Sequence, residues 1–278
     1  MIGKRVTNVL AAVLALALAG TAAAQKPATP KPAAQKPAAA APAAAQPAAT
    51  PANDVDPDAV AALERMGTYL RTIKTFRVTA ATTRDRVLAS GQLAQSSAQV
   101  DILAQFPSRL LAEVVGSGKH RLYFYDGTSF TLYGKVLGYY ATVPAPPTIG
   151  TLAPFLDDTY GLSIPLEDLF FWGTEKANTA AIVSATEIGP VDVQGTTCTH
   201  YAFRQEGIDW QVWIQLGEYP LPRKLVITTT SDEARPQYSA VYTWDLAPSY
   251  NEAAFTFDPP DGAYRVPLAS DSAEKAGK

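Results

Sequence analysis

The most informative stretch of this chain is residues 121–143, which read R-L-Y-F-Y-D-G-T-S-F-T-L-Y-G-K-V-L-G-Y-Y-A-T-V. Asp126-Gly127 lies between two runs of alternating hydrophobic residues, and this dipeptide is a strong hairpin signal because a tight two-residue turn requires positive φ. We therefore expect an aromatic β-hairpin folded at Asp126-Gly127. Aromatic side chains occupy both faces of its strands, so both faces need a cover, either other parts of the protein or a ligand.

The N-terminus has the features of an export signal. Lys4 and Arg5 precede an apolar run from Val9 to Ala19, and Ala22-Ala23-Ala24 follows. This order is typical of a secretory signal peptide. The run is shorter than the roughly 20 apolar residues of a membrane-spanning helix. We predict a signal peptide over residues 1–24, cleaved after Ala24 to deliver the protein to the periplasm, with an uncleaved anchor as the alternative. No cysteine follows the run, which excludes lipid attachment there.

The composition of the next segment predicts a disordered linker over residues 25–52. Residues 25–51 contain seven prolines and twelve alanines, too little apolar surface to offset the entropy of the chain. A single β-rich domain is expected over residues 53–266, followed by a disordered tail over residues 267–278.

Composition and motifs exclude several classes of function. The formal net charge is −3 and no block of Lys or Arg occurs, which argues against nucleic-acid binding. The sequence has no G-x-S-x-G, P-loop or G-x-G-x-x-G motif. His120 and His200 are 80 positions apart without carboxylates at ligand spacing, so no zinc site is expected. We predict neither a cofactor nor an enzymatic activity.

The chain has one cysteine, Cys198, so it cannot form an intramolecular disulfide. The simplest interpretation of Cys198 is a small buried residue of a strand. Intermolecular pairing or a reactive thiol is the alternative.

Helical and strand patterns alternate irregularly along the domain. Asp56 and Pro57 suit the start of a helix that continues to about residue 72. A helix is expected over residues 148–160, short or kinked at Pro154, and another over residues 165–171. Strand patterns occupy the remaining segments: from 75 to 82, 98–105, 109–115, the hairpin, 185–188, 197–204, 208–216, 223–230 and 238–246. This order predicts an α+β domain with an antiparallel sheet.

The best polar cluster lies beside the predicted turn at Glu206-Gly207. His200 and Arg204 share one strand face, and Asp209 can oppose them across the turn. A solvated face with cross-strand ion pairs is the favoured interpretation, and a cryptic hydrolytic site is the alternative.

The apolar faces suggest a binding surface. A solvated antiparallel sheet normally alternates apolar and polar residues, but several strands here are apolar on both faces. The helices either cover the second face as part of the core or form a lid over a concave surface that holds a lipid. The residues we expect to contact such a ligand are Phe124, Phe130, Leu132, Tyr140, Phe155, Trp210, Val212 and Ile214.

Several motifs between Asp58 and Tyr264 resemble a family of predicted bacterial periplasmic proteins of unknown function. They are F-R-V-T-A (76–80), P-S-R-L (107–110), L-Y-F-Y-D-G-T (122–128), Y-Y-A-T-V-P (139–144), D-L-F (168–170), H-Y-A-F-R-Q-E-G-I-D-W-Q-V-W-I (200–214) and P-R-K-L-V-I (222–227). In layout the chain is also similar to the LolA and LolB lipoprotein carriers and to the sensor domain of RseB. That resemblance implies an open half-barrel whose concave face is covered by helices and receives acyl chains.

Residues and resemblance together predict a periplasmic, non-catalytic binding protein. Its expected ligand is a lipid, a lipidated protein or another hydrophobic molecule, and an inner- or outer-membrane protein is a possible partner. The alternatives are an envelope sensor that recognises a partner and a hydrolytic enzyme with a site near His200.

Overall fold

The computed structural model describes residues 55–269. The predicted signal peptide (1–24), the predicted linker (25–52) and all but three residues of the predicted tail (267–278) lie outside the described residues. The helices are α1 (Pro57–Thr72), α2 (Ile149–Tyr160) and α3 (Asp168–Phe171). The strands are β1 (Thr75–Val87), β2 (Leu93–Gln105), β3 (Arg109–Gly116), β4 (Lys119–Tyr125), β5 (Ser129–Gly134), β6 (Tyr139–Pro144), β7 (Ser184–Val193), β8 (Thr196–Gln205), β9 (Ile208–Gln215), β10 (Pro222–Thr229), β11 (Gln237–Asp245) and β12 (Tyr264–Arg265).

The twelve strands of the described region form one open sheet. Their order is β12-β6-β5-β4-β3-β2-β1-β11-β10-β9-β8-β7. Neighbours are antiparallel except β12 and β6, which are parallel. The sheet is not closed, because its edge strands β12 and β7 do not pair with each other. The predicted α+β class, with an open antiparallel sheet and helices on one face, is confirmed.

One face of the sheet carries the helices and the main hydrophobic core, and we call it the inner face. The strand register aligns Val78, Ile102, Ala112, Tyr123 and Leu132 in one row across β1 to β5 on this face. Buried side chains of all three helices pack with these residues in one cluster. Burial of each large apolar side chain contributes about 1.5–3 kcal/mol, so this layer is the main source of stability.

The opposite, outer face is partly covered by the segment that follows β11. The ring of Phe257 lies 5.2 Å from that of Phe124, 5.3 Å from that of Tyr133 and 5.0 Å from that of Tyr140, between centroids. Arg109 at the start of β3 pairs with Glu252 of the same segment. The protein's own C-terminal residues therefore cover aromatic side chains on this face.

Helix α1 begins as predicted. The Asp56 side chain accepts a hydrogen bond from the Asp58 N–H at 2.9 Å, and Pro57 occupies the first turn. The missing N–H of proline costs nothing there, because that donor has no partner inside the helix.

Helix α2 continues through Pro154, and another residue donates to the carbonyl that the proline leaves without a donor. Pro154 cannot donate to the Gly150 carbonyl oxygen one turn earlier. The Lys176 ammonium group donates to that oxygen at 2.7 Å. The predicted helix is confirmed, and its cap is Thr148.

The aromatic hairpin is confirmed, but its loop differs from the prediction. It has three residues, 126–128, between β4 and β5. The Asp126 carboxylate accepts hydrogen bonds from the N–H groups of Thr128 and Ser129, at 2.9 and 2.8 Å. Within the loop, positive φ occurs at Gly127 (+93°). These hydrogen bonds hold the loop, so it does not need the two positive φ angles of a two-residue type I′ turn.

Further predictions were wrong in length. Strand β1 continues to Val87 instead of ending at residue 82, and β2 starts at Leu93 instead of residue 98. Helix α3 starts at Asp168 rather than at residue 165, because Leu166 has a φ of +53° and cannot be part of a right-handed helix. Strand β7 continues to Val193 instead of ending at Ile188. The missing N–H of Pro190 does not stop it, since an edge strand has a partner on one side only.

Candidate functional site

A cleft of about 700 Å³ opens on the inner face at one end of the sheet. This end carries the turns that join β1 to β2, β3 to β4 and β5 to β6, and we call it the hairpin end. Inner-face residues of β1 to β4, including Ala98, Val100 and Val114, form the floor, together with residues of β10 and β11. Residues 163–168 form the opposite wall. Small-molecule sites typically have volumes of about 300–1,000 Å³, so this cleft has a suitable size.

Short side chains leave the space that forms the cleft. Thr82 of β1, Ala98 of β2 and Gly116 of β3 pair in one row across the inner face. Nearer the other end of the sheet, the same face carries Phe76, which is fully buried and packs against Phe170 of α3. The helices thus cover the large residues and leave the row of small ones accessible from the hairpin end.

Arg71 of α1 holds the wall of the cleft in place. Its guanidinium group donates hydrogen bonds to the carbonyl oxygens of Leu169 at 2.6 Å and Phe170 at 3.1 Å. It also lies over the ring of Phe106, 5.2 Å from the centroid. The last carbonyls of a helix have no partner within it, so Arg71 satisfies two of them and connects α1 to α3.

A close backbone contact adds to this connection. A Cβ atom at Gly67 of α1 would lie 2.5 Å from the backbone nitrogen of Gly173, which follows α3. Gly173 itself has a φ of +76°. Glycine is therefore required at position 67 by the close approach and at position 173 by both the approach and the backbone conformation.

Charges of both signs surround the cleft. Arg84, Lys119 and Arg121 extend from the strands, and Glu167 and Asp168 extend from the wall. Burial raises the pKa of the Asp168 and Glu167 carboxyl groups, and the Arg84 cation opposes this change in both cases. Part of the acidic wall thus holds protons more strongly than exposed carboxyl groups do.

Two tyrosines of β11 lie beside these charges. The Arg84 guanidinium carbon is 5.1 Å from the centroid of the Tyr238 ring, and Tyr238 lines the cleft. Burial raises the pKa of Tyr238 and of Tyr242, so both hydroxyls are neutral at physiological pH. The Tyr242 hydroxyl oxygen is buried and has no hydrogen-bond partner among the described residues.

We expect the Asp168→Asn variant to gain stability relative to the wild type as the pH rises above about 4. The pKa of Asp168 is higher in the folded protein than in the unfolded chain, so the folded state binds more protons between the two values. The contribution of Asp168 to the stability of the wild type then falls as pH increases through this window. Urea denaturation of both proteins between pH 3 and pH 7 measures the difference.

Asp209→Asn is the control, because the pKa shift of Asp209 is opposite in sign to that of Asp168. Arg204 lowers the pKa of Asp209 in the folded protein, so the wild type should be more stable than this variant at pH 7. The difference in the free energy of unfolding between the two proteins should decrease as the pH falls below about 4. A pH-independent difference for Asp168→Asn would contradict the raised pKa of that carboxyl group.

None of the eight residues predicted to contact a ligand lines the 700 Å³ cleft. Two of them, Phe124 and Tyr140, lie on the outer face against Phe257. The other six belong to the inner core or pack against it: Phe130, Leu132, Phe155, Trp210, Val212 and Ile214.

Two of these six lie directly beside the cleft. Leu132 pairs with Tyr123, and Trp210 pairs with Ile227. Both partners line the cleft, so the predicted residues and the open space are neighbours on the same face.

A signal in the sequence marks where the helices stop covering the inner face. The inner-face positions of β1 change from apolar residues to Thr82, Arg84 and Arg86, and those of β4 change from Tyr123 to Arg121 toward the hairpin end. A polarity gradient along one face of a strand indicates the limit of its cover, and it could have located the cleft.

The polar cluster beside the Glu206-Gly207 turn is divided into separate contacts. Arg204 donates to Asp209 at 2.6 Å, so the predicted cross-strand ion pair is present. The His200 ring stacks on Trp213 with centroids 4.0 Å apart and bonds to the Gln211 side chain at 2.9 Å. His200 and Arg204 are four positions apart on one strand, about 13 Å. They do not converge on one point.

A smaller pocket of about 250 Å³ lies on the outer face. It includes Tyr140, Phe257, Asp126 and Arg265 among its lining residues. The Asp126 carboxylate already accepts hydrogen bonds within its own loop, and Arg265 is the other charged residue of this pocket.

The cysteine has the buried strand position that the sequence predicted. Cys198 is fully buried in β8, and burial raises the pKa of its thiol. Between residues 55 and 269, no group of three or more His, Cys, Asp or Glu residues is arranged to hold a metal ion. Within the same range, no helix combines the length and hydrophobicity that a membrane crossing requires.

The sequence model of one protein family, described as predicted periplasmic protein (DUF2092), matches residues 59–269. No curated protein matches the chain. Among solved structures, an uncharacterized conserved protein from Thermus thermophilus is 13% identical, covers 76% of this chain and 99% of its own, and has a TM-score of 0.43.

Two further solved structures are similar to the same extent or less. LprF from Mycobacterium bovis is 13% identical over 76% of this chain and 100% of its own, with a TM-score of 0.43. A LolA superfamily protein from Nitrosomonas europaea is 10% identical over 72% of this chain and 97% of its own, with a TM-score of 0.31.

Proposed function

The chain belongs to this family of predicted periplasmic proteins, and from that premise we propose that it is a non-catalytic binding protein for an amphipathic ligand. The ligand class is a lipid or the acyl group of a lipidated protein, held in the inner-face cleft. The observation that carries the proposal is the 700 Å³ cleft itself, which has an apolar floor and a charged rim. Ligand sites commonly combine apolar walls with a few polar groups that fix orientation.

The apolar part of the ligand would lie on the floor of the cleft. Val100, Val114 and Ile227 line it from the sheet, and Ile164 and Leu166 line it from the wall. Each buried methylene contributes about 0.8 kcal/mol, so a chain that buries about ten of them gains about 8 kcal/mol. That gain corresponds to a Kd of about 1 μM before the cost of ordering the chain is subtracted.

The polar part of the ligand would lie at the rim. Lys119 and Arg121 of β4 line the cleft, and neither forms an ion pair with a carboxylate among the described residues. Both can therefore meet a carboxylate or phosphate group without first breaking a contact within the protein.

A longer ligand would extend toward two of the residues predicted from the sequence. Leu132 and Trp210 are the cross-strand neighbours of Tyr123 and Ile227, which line the cleft. We propose these two as secondary contacts.

Titration with a fluorescent fatty-acid probe tests this function. We expect saturable uptake at one site per chain, with a Kd in the micromolar range, and competition by unlabelled fatty acid. Native mass spectrometry of protein isolated from the periplasm should show an added lipid mass. A clean apo mass together with no uptake of the probe would remove the proposal.

A further inference from the structure

Exposed apolar side chains cluster at the turn between β5 and β6. Val136 is 63% exposed and Leu137 73%, whereas Tyr139 is 48% and Tyr264 66% exposed. The rings of the two tyrosines are 6.1 Å apart, between centroids. We call these four residues the tip patch. Monomeric proteins scatter single apolar residues over their surface, but a contiguous group of large ones marks an interaction site.

The tip patch continues the row of residues that forms the rim of the cleft. Arg121 pairs with Gly134, Gly134 pairs with Tyr139, and Tyr139 pairs with Tyr264. Paired residues in a sheet lie on the same face, so both tyrosines lie on the inner face beside Arg121, which lines the cleft. The patch and the mouth of the cleft therefore face the same surroundings.

Basic side chains lie along one side of the tip patch. In the segments 117–121 and 134–140, the Lys and Arg residues are Lys119, Arg121 and Lys135, whereas Arg265 pairs with Tyr140 and lines the pocket on the outer face. His120, in the same region, pairs with Glu113, and one exposed carboxylate, that of Asp261, lies next to Gly262 near the β5–β6 turn. A group of aliphatic and tyrosine side chains flanked by cations matches the chemistry of a membrane interface with anionic lipids.

We propose that the tip patch docks this protein on the surface of an anionic lipid bilayer and thereby places the mouth of the cleft against the lipid. A protein partner fits less well, because four side chains at the end of a hairpin offer far less than the roughly 800 Å² that each partner buries in a standard interface. The four apolar residues of the tip patch do not line the cleft, so variants at these positions test docking separately from the proposed ligand.

Vesicle co-sedimentation tests the proposal. The full-length mature protein is mixed with vesicles of phosphatidylethanolamine and phosphatidylglycerol, or of phosphatidylcholine alone. We expect binding to the anionic vesicles, weakened by salt, and little binding to the neutral ones. The double variant Val136→Ser/Leu137→Ser should bind the anionic vesicles at least ~10-fold more weakly, because loss of two buried methylene equivalents already exceeds a tenfold change.

The matched control removes two apolar side chains from the other edge of the sheet. Ile188 and Val191 of β7 are 58% and 40% exposed, and Ile188→Ser/Val191→Ser should bind vesicles as the wild type does. Circular dichroism of both double variants checks that they fold. Equal binding of the wild type and the tip variant would overturn the proposal, as would a failure of the wild type to bind anionic vesicles.

Two further readouts separate the possible causes. The proposal would also be overturned if the wild type does not bind vesicles but forms a dimer, and if the tip variant does not form this dimer. The patch would then bind a second copy of the chain. Uptake of the fluorescent fatty-acid probe from solution should be the same in the tip variant and the wild type. The vesicle experiment can therefore contradict docking without contradicting ligand binding, and the probe experiment can contradict ligand binding without contradicting docking.

Discussion

The Ala98→Trp variant should bind the fluorescent fatty-acid probe at least ~100-fold more weakly than the wild type while it folds normally. Ala98 lies on the inner face of β2 and lines the cleft, with Gly116 as its neighbour on β3. An indole at this position occupies space that the ligand needs. Exclusion of about four methylenes from the cleft costs about 3 kcal/mol, which corresponds to two orders of magnitude in Kd.

Ala81→Trp is the matched control. Ala81 is an exposed residue of the adjacent strand β1, where it pairs with Val241 and lies on the outer face. The same large side chain is thus added on the other side of the sheet, and probe binding should not change. If Ala98→Trp retains its fold, shown by circular dichroism and its melting temperature, and still binds like the wild type, the ligand does not use this cleft.

The second large effect is expected at Gly67, where substitution by alanine should lower stability by about 3 kcal/mol. The new Cβ atom would lie 2.5 Å from the nitrogen and 2.7 Å from the Cα atom of Gly173. Backbone atoms cannot rotate away from it, so α1 and the segment after α3 must separate. For a domain of this size the melting temperature should fall by roughly 6–12 °C.

Gly150→Ala provides a control for the helix effect of alanine. Gly150 lies in α2, and a Cβ atom there would have no neighbour within 4 Å. Alanine favours the helix over glycine by up to about 1 kcal/mol, so this variant should be equal to or more stable than the wild type. Thermal unfolding followed by circular dichroism compares both variants, and an unchanged melting temperature for Gly67→Ala would show that the backbones are not in tight contact.

The Gly67 variant also connects stability with binding. Arg71, one turn further along α1, holds the carbonyl groups of α3 next to the wall of the cleft. Separation of α1 from this segment should loosen residues 163–168, which form that wall. We therefore expect weaker probe binding in Gly67→Ala, in contrast to Gly150→Ala.

Local patterns were sufficient for most elements of the sheet. The Asp126-Gly127 dipeptide predicted the aromatic hairpin, and Asp56 with Pro57 predicted the start of α1; both are present. These signals act between residues that are close in the chain, so they can be recognised without the rest of the structure. The wrong lengths of α3 and β7 depend on the φ angle of Leu166 and on the edge position of β7, which arise only in the folded domain.

Because side chains alternate with a period of two along a strand, the sequence alone showed that several strands of this domain are apolar on both faces. It did not determine which face the helices would cover or where they would leave space. Phe124 and Phe130 are the same residue type in the same hairpin. In the structure, Phe257 from the C-terminal segment covers Phe124, and the helical core buries Phe130. The cleft likewise depends on the path of residues 163–168 over a row of short side chains. Such contacts join segments far apart in the chain, and only tertiary packing decides them.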